Sequence, residues 1–198
     1  MKRSYYDSTV EFALADDNFY PATLEDIRLA ERHGDLDWLM ALEAAADGSV
    51  TILMGNHEMM NLLAHVRDTT AADFAAFAEE SSGERRDDAW EDYARLLRAT
   101  AERRRLPPPA LDDAAREAWN LGRPPGFVER TAAFGPGGKY GEWLRQLPVI
   151  VKKGTSVFLH AGVYPNLPDL SLEGLNQRVR DEIALFDRYI AYLGACRT

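Results

Sequence analysis

The chain has 198 residues, of which 46% are hydrophobic and 28% charged, as is typical of a soluble globular domain with its own core. Its formal net charge of -9 disfavours a general nucleic-acid binder, because such proteins need a basic face to displace phosphate counterions. The acidic balance is compatible with a metal enzyme, whose hard cations prefer carboxylates, although an ordinary acidic protein would carry the same charge.

The single cysteine, Cys196, cannot form an intramolecular disulfide, which indicates a reducing compartment. The N-terminal sequence MKRSYYDSTVEF lacks the apolar segment of a signal peptide. No apolar run approaches the roughly 20 residues that span a bilayer. We therefore expect a cytoplasmic protein with neither a membrane nor a nucleic acid among its partners.

The first predicted helical region covers residues 21–48. Thr23 and Asp26 have the spacing of a capping box, which predicts a helix start there. Gly34 marks a break, after which Leu36 begins a second amphipathic stretch that the sequence ADG ends.

The segment SVTILMG, residues 49–55, is short, β-branched and apolar, which predicts a strand buried on both faces in a central sheet. The following sequence HEMMNLLAHV has the apolar spacing of a helix. Asn56, His57 and Glu58 therefore lie where a predicted strand meets a predicted helix. Such a cluster of amide, imidazole and carboxylate groups is able to bind a metal or to move protons.

Residues 68–120 contain aromatic residues at helical spacing among Ala, Arg and acidic residues, which predicts two or three helices. We expect interruptions at SSGERRDD and RRRLPPPALDD, and we interpret the charge runs as solvated helix faces. Four further segments are predicted from their Pro, Gly and apolar content, namely loops at LGRPPGF and FGPGGKYG and short helices at VERTAAF and EWLRQLP.

Two apolar runs, Val149–Val151 and Val157–Leu159, flank the sequence KKGT and predict a β-hairpin. The second run is followed by His160, so a second predicted strand also ends beside a histidine. Residues 170–194 keep a helical period over their whole length, which predicts a long helix after the hairpin.

Three interpretations of the sequence GNHEMMN compete. A His-Glu-x-x-His zinc motif would need a second histidine four residues after His57, and Asn61 stands there instead. A purely structural role would make Asn56 the helix N-cap and place Glu58 at the positive helix end. The third interpretation is a metallophosphoesterase site.

The third interpretation follows from where ligands bind in open sheets, which is at the carboxyl ends of the strands. Asn56 and His160 occupy two such ends, and their amide oxygen and imidazole are both suitable ligands for Mn²⁺, Fe or Zn²⁺. Two such ions can clamp a phosphate and generate a hydroxide nucleophile. His57 would protonate the leaving alkoxide, and Glu58 would hold the imidazole in its orientation. Gly55 would let the backbone approach closely.

The motifs GNHE and HAG resemble two motifs of the calcineurin-like metallophosphoesterase superfamily, in its phosphoprotein-phosphatase group. The longer stretches GNHEMMNLL and PPGFVERTAAFGPGGKYGEWLRQLPVIVKKGTSVFLHAGV are similar to the Shewanella-like protein phosphatases, and the similarity covers roughly residues 36–180. The resemblance implies that Asn56 and His160 are metal ligands, that His57 is the general acid and that Glu58 supports it. It also implies two divalent metal ions, Mn, Fe or Zn.

The sequence departs from this family at several motifs. No Gly-Asp-x-His occurs before Asn56, and no histidine follows His160. The sequence HGDLDW, from His33, differs from Gly-Asp-x-x-Asp-Arg, and we interpret Asp35 and Asp37 as carboxylates at a helix start. Only two ligands then remain for a dication, whereas metal sites usually have three or four protein ligands. We therefore expect a truncated or degenerate member of the family.

Two other features have ordinary interpretations. The sequence GPGGKYG is not a P-loop, because Ala133 stands where the first glycine is required and Tyr140 replaces the Ser or Thr; it predicts a tight loop. His65 lies eight residues after His57 and is interpreted as a surface or capping histidine.

The combined prediction is one α/β domain over residues 1–198, with a central mixed β-sheet flanked by helices and a helical insertion over about 68–120. The fold that the resemblance implies is an αββα sandwich, here incomplete. The predicted function is a hydrolase, a metal-dependent phosphatase of the serine/threonine protein-phosphatase type, with manganese among the expected metals. It would hydrolyse the phosphomonoester of a phosphorylated protein or of a small molecule through metal-activated water. The alternatives are a non-catalytic module that binds phosphate or a partner, and an inactive fragment.

Overall fold

The computed structural model describes residues 35–162 and 171–195, with the side chains of residue 35 and residues 193–195 left out. The predicted capping box at Thr23 and Asp26, the helix up to Gly34, His33 and Cys196 lie outside these ranges. Within them the chain forms α1 (Asp35–Ala45), α2 (Asn56–Leu62), α3 (Ala71–Ala75), α4 (Ser82–Arg104), α5 (Asp113–Leu121), α6 (Phe127–Phe134), α7 (Lys139–Leu144), β1 (Ile150–Lys153), β2 (Ser156–Leu159) and α8 (Leu172–Ala195).

The described residues are mostly helical and contain one small sheet, in which β1 and β2 pair antiparallel. Helices and strands are both present, as an α/β class requires, but the sheet has two strands rather than the several of a central mixed sheet. None of the described helices has the length and apolar content that crossing a membrane requires.

The prediction of a strand over residues 49–55 is wrong for the described part of the chain, where this segment belongs to no strand. Its backbone still reaches the hairpin, because the Met54 N–H donates to the Pro148 carbonyl at 2.9 Å. Ile52 and Met54 are buried, so the apolar residues enter the core as expected. A strand is defined by a continued ladder with a neighbour, and among the described residues this segment makes one such bond.

The predicted hairpin is confirmed. Ile150 lies opposite Leu159, and Lys153 lies opposite Ser156, so the turn occupies the predicted sequence. Gly154 in this turn has a φ of +58°, a conformation that glycine adopts without the steric cost of a side chain. The hairpin fixes where His160 emerges, directly after β2.

The prediction of two or three helices in residues 68–120 is confirmed by α3, α4 and α5. The predicted break at SSGERRDD is wrong, because α4 begins at Ser82 and runs through that sequence. The interruption lies just before this sequence, at residues 76–81, and Ser81 is the N-cap of α4, so Gly83 falls in the first turn of the helix. The second predicted break is confirmed, since α4 ends at Arg104 and its C-cap, Arg105, is in a left-handed conformation before the three prolines.

The remaining helix predictions are confirmed in outline. The stretch after Gly34 forms α1, VERTAAF lies in α6, EWLRQLP overlaps the end of α7, and the long C-terminal helix is α8. These elements enclose one core, whose buried residues are Leu39, Ile52, Met54, Leu62, Phe134, Leu144, Leu147 and Ile183. Leu144 is fully buried in it.

A buried asparagine joins α8 to the start of β1. The Asn176 side-chain oxygen accepts from the Val149 and Ile150 N–H groups at 3.0 and 3.2 Å, and its NH₂ donates to the Ile150 carbonyl at 2.9 Å. Asn176 is 7% exposed, so these bonds satisfy backbone groups that water does not reach. The side chain therefore takes the place of a neighbouring strand at this edge.

An ion pair joins the end of α7 to the middle of α8. The Arg145 guanidinium donates to both carboxylate oxygens of Asp187, at 2.8 Å each, and also to the Phe134 and Gly141 carbonyls. The two side chains are 16% and 19% exposed. A bidentate, largely buried pair of this kind holds the two helices in register.

Replacing Arg145 by alanine is expected to lower the free energy of unfolding by about 3 kcal/mol, because Asp187 would keep a poorly solvated charge without its partner. Urea denaturation followed by circular dichroism measures this change. Arg95→Ala is the matched control, because Arg95 pairs with Asp92 but is 62% exposed; there the expected change is within about 0.5 kcal/mol. Equal losses in the two variants would contradict the role given to Arg145.

Candidate functional site

The helix start at the candidate site differs from the structural interpretation, which made Asn56 the N-cap. The N-cap is Gly55, in an extended conformation, and Asn56 is the first helical residue. The Glu58 carboxylate accepts from the Gly55 N–H at 2.9 Å and so caps the N-terminal backbone. Glu58 thus caps the Gly55 N–H, and the Asn56 side chain is not needed for that role. The Asn56 side chain is exposed.

The side chains of the two candidate metal ligands, Asn56 and His160, lie next to each other. The Asn56 Oδ1 atom and the His160 Nε2 atom are 2.8 Å apart, although 104 positions separate the two residues in the sequence. An amide oxygen only accepts, so the Nε2–H of His160 donates in this bond. Both side chains are exposed. The extended segment before α2 and the hairpin therefore bring together the two residues that the motifs single out.

Gly55 lies directly beneath the imidazole. A Cβ atom at this position would lie 3.2 Å from the Cγ and Nδ1 atoms of His160 and 2.7 Å from the Glu58 Oε2 atom. The close approach that the sequence predicted for this glycine is therefore an approach to the candidate ligand itself.

Replacing Gly55 by alanine is expected to displace His160 from Asn56, because the new methyl group and the imidazole compete for the same space. The ring ¹⁵N chemical shifts of His160 would report the lost hydrogen bond. The free energy of unfolding should fall by only about 1 kcal/mol, because the second close contact of the new methyl group is with the carboxylate of Glu58, which is able to move away. Gly83→Ala is the control, because nothing lies near its added methyl group; unchanged His160 shifts in Gly55→Ala would contradict the expectation.

His57 and Glu58, the other two candidates, lie in the first turn of α2. The carboxylate that the structure places beside His57 is that of Asp68, whose Oδ2 atom is 3.6 Å from the His57 Nε2 atom. Arg67 donates two hydrogen bonds to Asp68 and is the main reason that the pKa of this carboxyl lies below its usual value. Asp68 is therefore ionised at neutral pH, and it is a candidate partner of His57 that the sequence did not indicate. The orienting role of Glu58 stays a prediction.

A cavity of about 800 Å³ opens beside the Asn56–His160 pair. Its wall is mainly apolar and comes from the segment around Met54, the hairpin and α8. Arg178 and Glu182 of α8 add charge to the same wall, and His57 is not among its lining residues. The pair therefore lies at the edge of a space large enough for a small molecule.

The described residues do not complete a metal centre. Over residues 35–162 and 171–195, no group of three or more His, Cys, Asp or Glu side chains lies together in an arrangement that could hold a metal ion. Asn56 and His160 are both neutral ligands, whereas tight sites for divalent ions use three or four ligands, some of them anionic. These two residues alone do not fit a dinuclear centre.

The structure also bears on three other features that the sequence analysis interpreted, namely the aspartates near residue 35, His65 and the GPGGKYG loop. The helix α1 begins at Asp35, and the Asp37 carboxylate accepts from Lys139 at 2.6 Å, which is the main reason that its pKa is lowered. His65 is exposed, as predicted. The predicted tight loop is confirmed for Gly135 to Gly138, where the Gly138 N–H donates to the Gly135 carbonyl at 3.1 Å. The prediction is wrong for residues 139–141, which form the first turn of α7.

No protein-family model, curated protein or solved structure matches this chain. The resemblance to the metallophosphoesterases therefore depends on the motifs around Asn56 and His160. Membership in that family stays a prediction, as do the roles that it implies for these residues.

Proposed function

We propose that this chain is a metallophosphoesterase-type domain that hydrolyses phosphomonoesters, with Asn56 and His160 as ligands of one metal ion. The observation that carries the proposal is the 2.8 Å separation of Asn56 Oδ1 and His160 Nε2. Two ligand atoms that bind one ion at about 2.1 Å, at right angles, are themselves about 3 Å apart. Loss of one hydrogen bond and a small rotation would let both atoms bind the same ion.

The proposal includes the finer fold, an incomplete αββα sandwich. The bond from the Met54 N–H to the Pro148 carbonyl supports it, because it is the kind of contact from which a ladder between this segment and β1 would grow. The proposal also includes a cytoplasmic setting, for which the single cysteine of the sequence is the argument.

The metal ions, Mn, Fe or Zn, would be held in part by Asn56 and His160 and would supply an activated water. The described residues contain no group of three or more His, Cys, Asp or Glu side chains that could hold a metal ion, so we assign no reaction step to a metal. The residues of this chain would hold the phosphate end of the substrate at the edge of the cavity and would transfer a proton to the leaving group.

His57 is the proposed proton donor to the leaving alkoxide. Its Nε2 atom lies 3.6 Å from the ionised Asp68 carboxylate, which supports the proposal because a negative carboxylate attracts the positive charge of an imidazolium. His57 directly follows Asn56 in the sequence. Its imidazole would therefore lie near a phosphate that is bound at the Asn56 amide. The substrate class is a phosphorylated protein or a small phosphomonoester.

A second candidate is a module that binds a phosphate group or a partner without turnover. The observation that favours it is the lack of a cluster of metal-binding side chains in the described ranges. Arg178, which lines the cavity and makes no ion pair with another described residue, would supply the positive charge that an anion needs.

Hydrolysis of p-nitrophenyl phosphate with and without added Mn²⁺ tests the proposal. Turnover that depends on Mn²⁺ and is abolished by a chelator is the expected result. No turnover, with less than one metal ion per chain by elemental analysis, would overturn it for this chain. Inorganic phosphate binding by calorimetry, without any turnover, would favour the second candidate.

A further inference from the structure

A second cavity, of about 1000 Å³, is enclosed by side chains of α4, α5, α6 and α8 and by the end of α2. Among the residues that the structure describes, it shares only Leu63 with the cavity beside the candidate site, and Asn56, His57 and His160 do not line it. Helices α4 and α5 belong to the predicted helical insertion, so the insertion helps to build a separate space. This space is large enough for a small molecule.

One wall of the second cavity is aromatic and consists of Tyr93, Trp119 and Phe127, which we call the aromatic wall. The Trp119 ring lies edge-on to Trp90, with their centroids 5.6 Å apart, and its centroid is 6.2 Å from that of Tyr93. Trp119 is 7% exposed and is therefore held by its neighbours, whereas Tyr93 is 38% exposed. Such a wall favours a flat apolar ligand, because ring-to-ring contacts add to the benefit of burying apolar area.

The Arg123 guanidinium lies against the same three rings. Its Cζ atom is 4.9 Å from the centroid of Trp119, 5.6 Å from that of Phe127 and 5.9 Å from that of Tyr93. These contacts stabilise the cation and hold a long side chain in place, so less conformational freedom is lost when it binds a ligand. Within the described ranges the guanidinium makes no ion pair and donates no hydrogen bond, so its N–H groups remain available.

The two other charged side chains that line this cavity already have partners. Asp92 pairs with Arg95 at 2.9 Å, and Asp187 accepts from Arg145 at 2.8 Å through each of its oxygens. Arg123 therefore supplies the charge that no described residue balances, and it would attract a negative group on a ligand. A carboxylate suits it well, because two carboxylate oxygens match two N–H groups of a guanidinium.

We propose that the second cavity binds a small aromatic carboxylic acid, whose ring packs on the aromatic wall and whose carboxylate pairs with Arg123. The Trp119 indole N–H adds support, because it is buried and makes no hydrogen bond with a described residue, whereas buried indole N–H groups usually have one. A ligand acceptor that reached this group would gain a bond that the described residues do not supply. A neutral aromatic molecule would leave the guanidinium unpaired, and a carboxylate without a ring would leave the aromatic wall uncovered.

Titration with the carboxylate naphthoate and with its neutral amide, naphthamide, tests the proposal. The indole ¹H–¹⁵N signal of Trp119 should shift and saturate with naphthoate, at a dissociation constant at least about tenfold lower than that for naphthamide. The difference is expected because hydrogen bonds to charged groups are stronger than those between neutral groups. The indole signal of Trp143 is the internal control, since this side chain donates to Glu43 and lines neither cavity.

Arg123→Met is the decisive variant, because it removes the charge and keeps an apolar side chain. It should raise the dissociation constant for naphthoate at least about tenfold and change that for naphthamide by less than about twofold. Arg123→Lys keeps the charge but not the planar fork, so its affinity for naphthoate should be intermediate. Arg178→Met is the matched control, since Arg178 lines the other cavity and also makes no ion pair with a described residue; it should bind both probes as the parent chain does.

Naphthoate binding that does not saturate, or that is no tighter than naphthamide binding, would overturn the proposal. Equal losses of both probes in Arg123→Met would overturn it as well, because they indicate a collapsed cavity rather than a lost charge. A loss in Arg178→Met instead would place the probe in the other cavity. Circular dichroism establishes that each variant still folds. The titration uses no added metal and measures no turnover, so the aromatic-acid site and the proposed hydrolase activity can each fail alone.

Discussion

Replacing His57 by alanine is expected to lower the Mn²⁺-dependent hydrolysis of a phosphoserine peptide by about 100-fold or more, the usual contribution of a general acid. The serine alkoxide is a poor leaving group and needs a proton as the bond to phosphorus breaks. p-Nitrophenolate leaves readily without one, so the same variant should lose far less activity on p-nitrophenyl phosphate. The difference between the two substrates is the signature of a proton donor.

His65→Ala is the matched control for this measurement, because His65 is an exposed histidine that follows the end of α2, whereas His57 lies in its first turn. It should retain both activities. Asp68→Asn should show a smaller loss with the same dependence on the leaving group, since the proposal has Asp68 act through the His57 ring. Equal losses of His57→Ala on the two substrates would contradict a proton-donating role.

The expected effect on stability at Asn176 is as large as that at Arg145. Replacing Asn176 by leucine keeps the branched shape and the number of heavy atoms but removes the side-chain partners of the Val149 and Ile150 N–H groups and of the Ile150 carbonyl. We expect the free energy of unfolding to fall by about 3 kcal/mol, because buried backbone groups without hydrogen bonds are costly. Urea denaturation measures the loss.

Gln177→Leu is the control for Asn176→Leu, because it makes the same kind of change at the next position, which is exposed. Its unfolding free energy should change by no more than about 0.5 kcal/mol. If Asn176→Leu lost less than this control, the bonds to β1 would not be holding the hairpin. Since β1 pairs with β2 and His160 follows β2, loosening this edge should also disturb the candidate ligand.

The local elements were predictable from the sequence because their signals are local. The hairpin follows from two apolar runs with Gly154 between them, and α8 follows from its helical period. The break predicted at SSGERRDD lies a few residues earlier, at 76–81, because Ser81 serves as the N-cap of α4 and the following residues, Gly83 included, are helical. The strand predicted at residues 49–55 failed because a strand needs a partner, and pairing is a property of distant segments.

The candidate site was predictable in part for the same reason. Asn56 and His160 were expected together because each follows an apolar run, and the structure places their side chains in contact. The contact of His57 with Asp68 and the bonds of Asn176 to β1 had no sequence pattern, because they depend on how the chain folds back on itself. A carboxylate eleven residues from a histidine is not distinguishable from its neighbours before the fold is known.

The central claim is that Asn56 and His160 bind one metal ion together. The most direct test is a Mn²⁺ titration followed by electron paramagnetic resonance, which counts free and bound ions, on the parent chain and on Asn56→Ala, His160→Ala and His65→Ala. The account predicts Mn²⁺ binding in the parent and in His65→Ala, and its loss in both ligand variants. Binding that survives His160→Ala, or no binding in the parent, would contradict it.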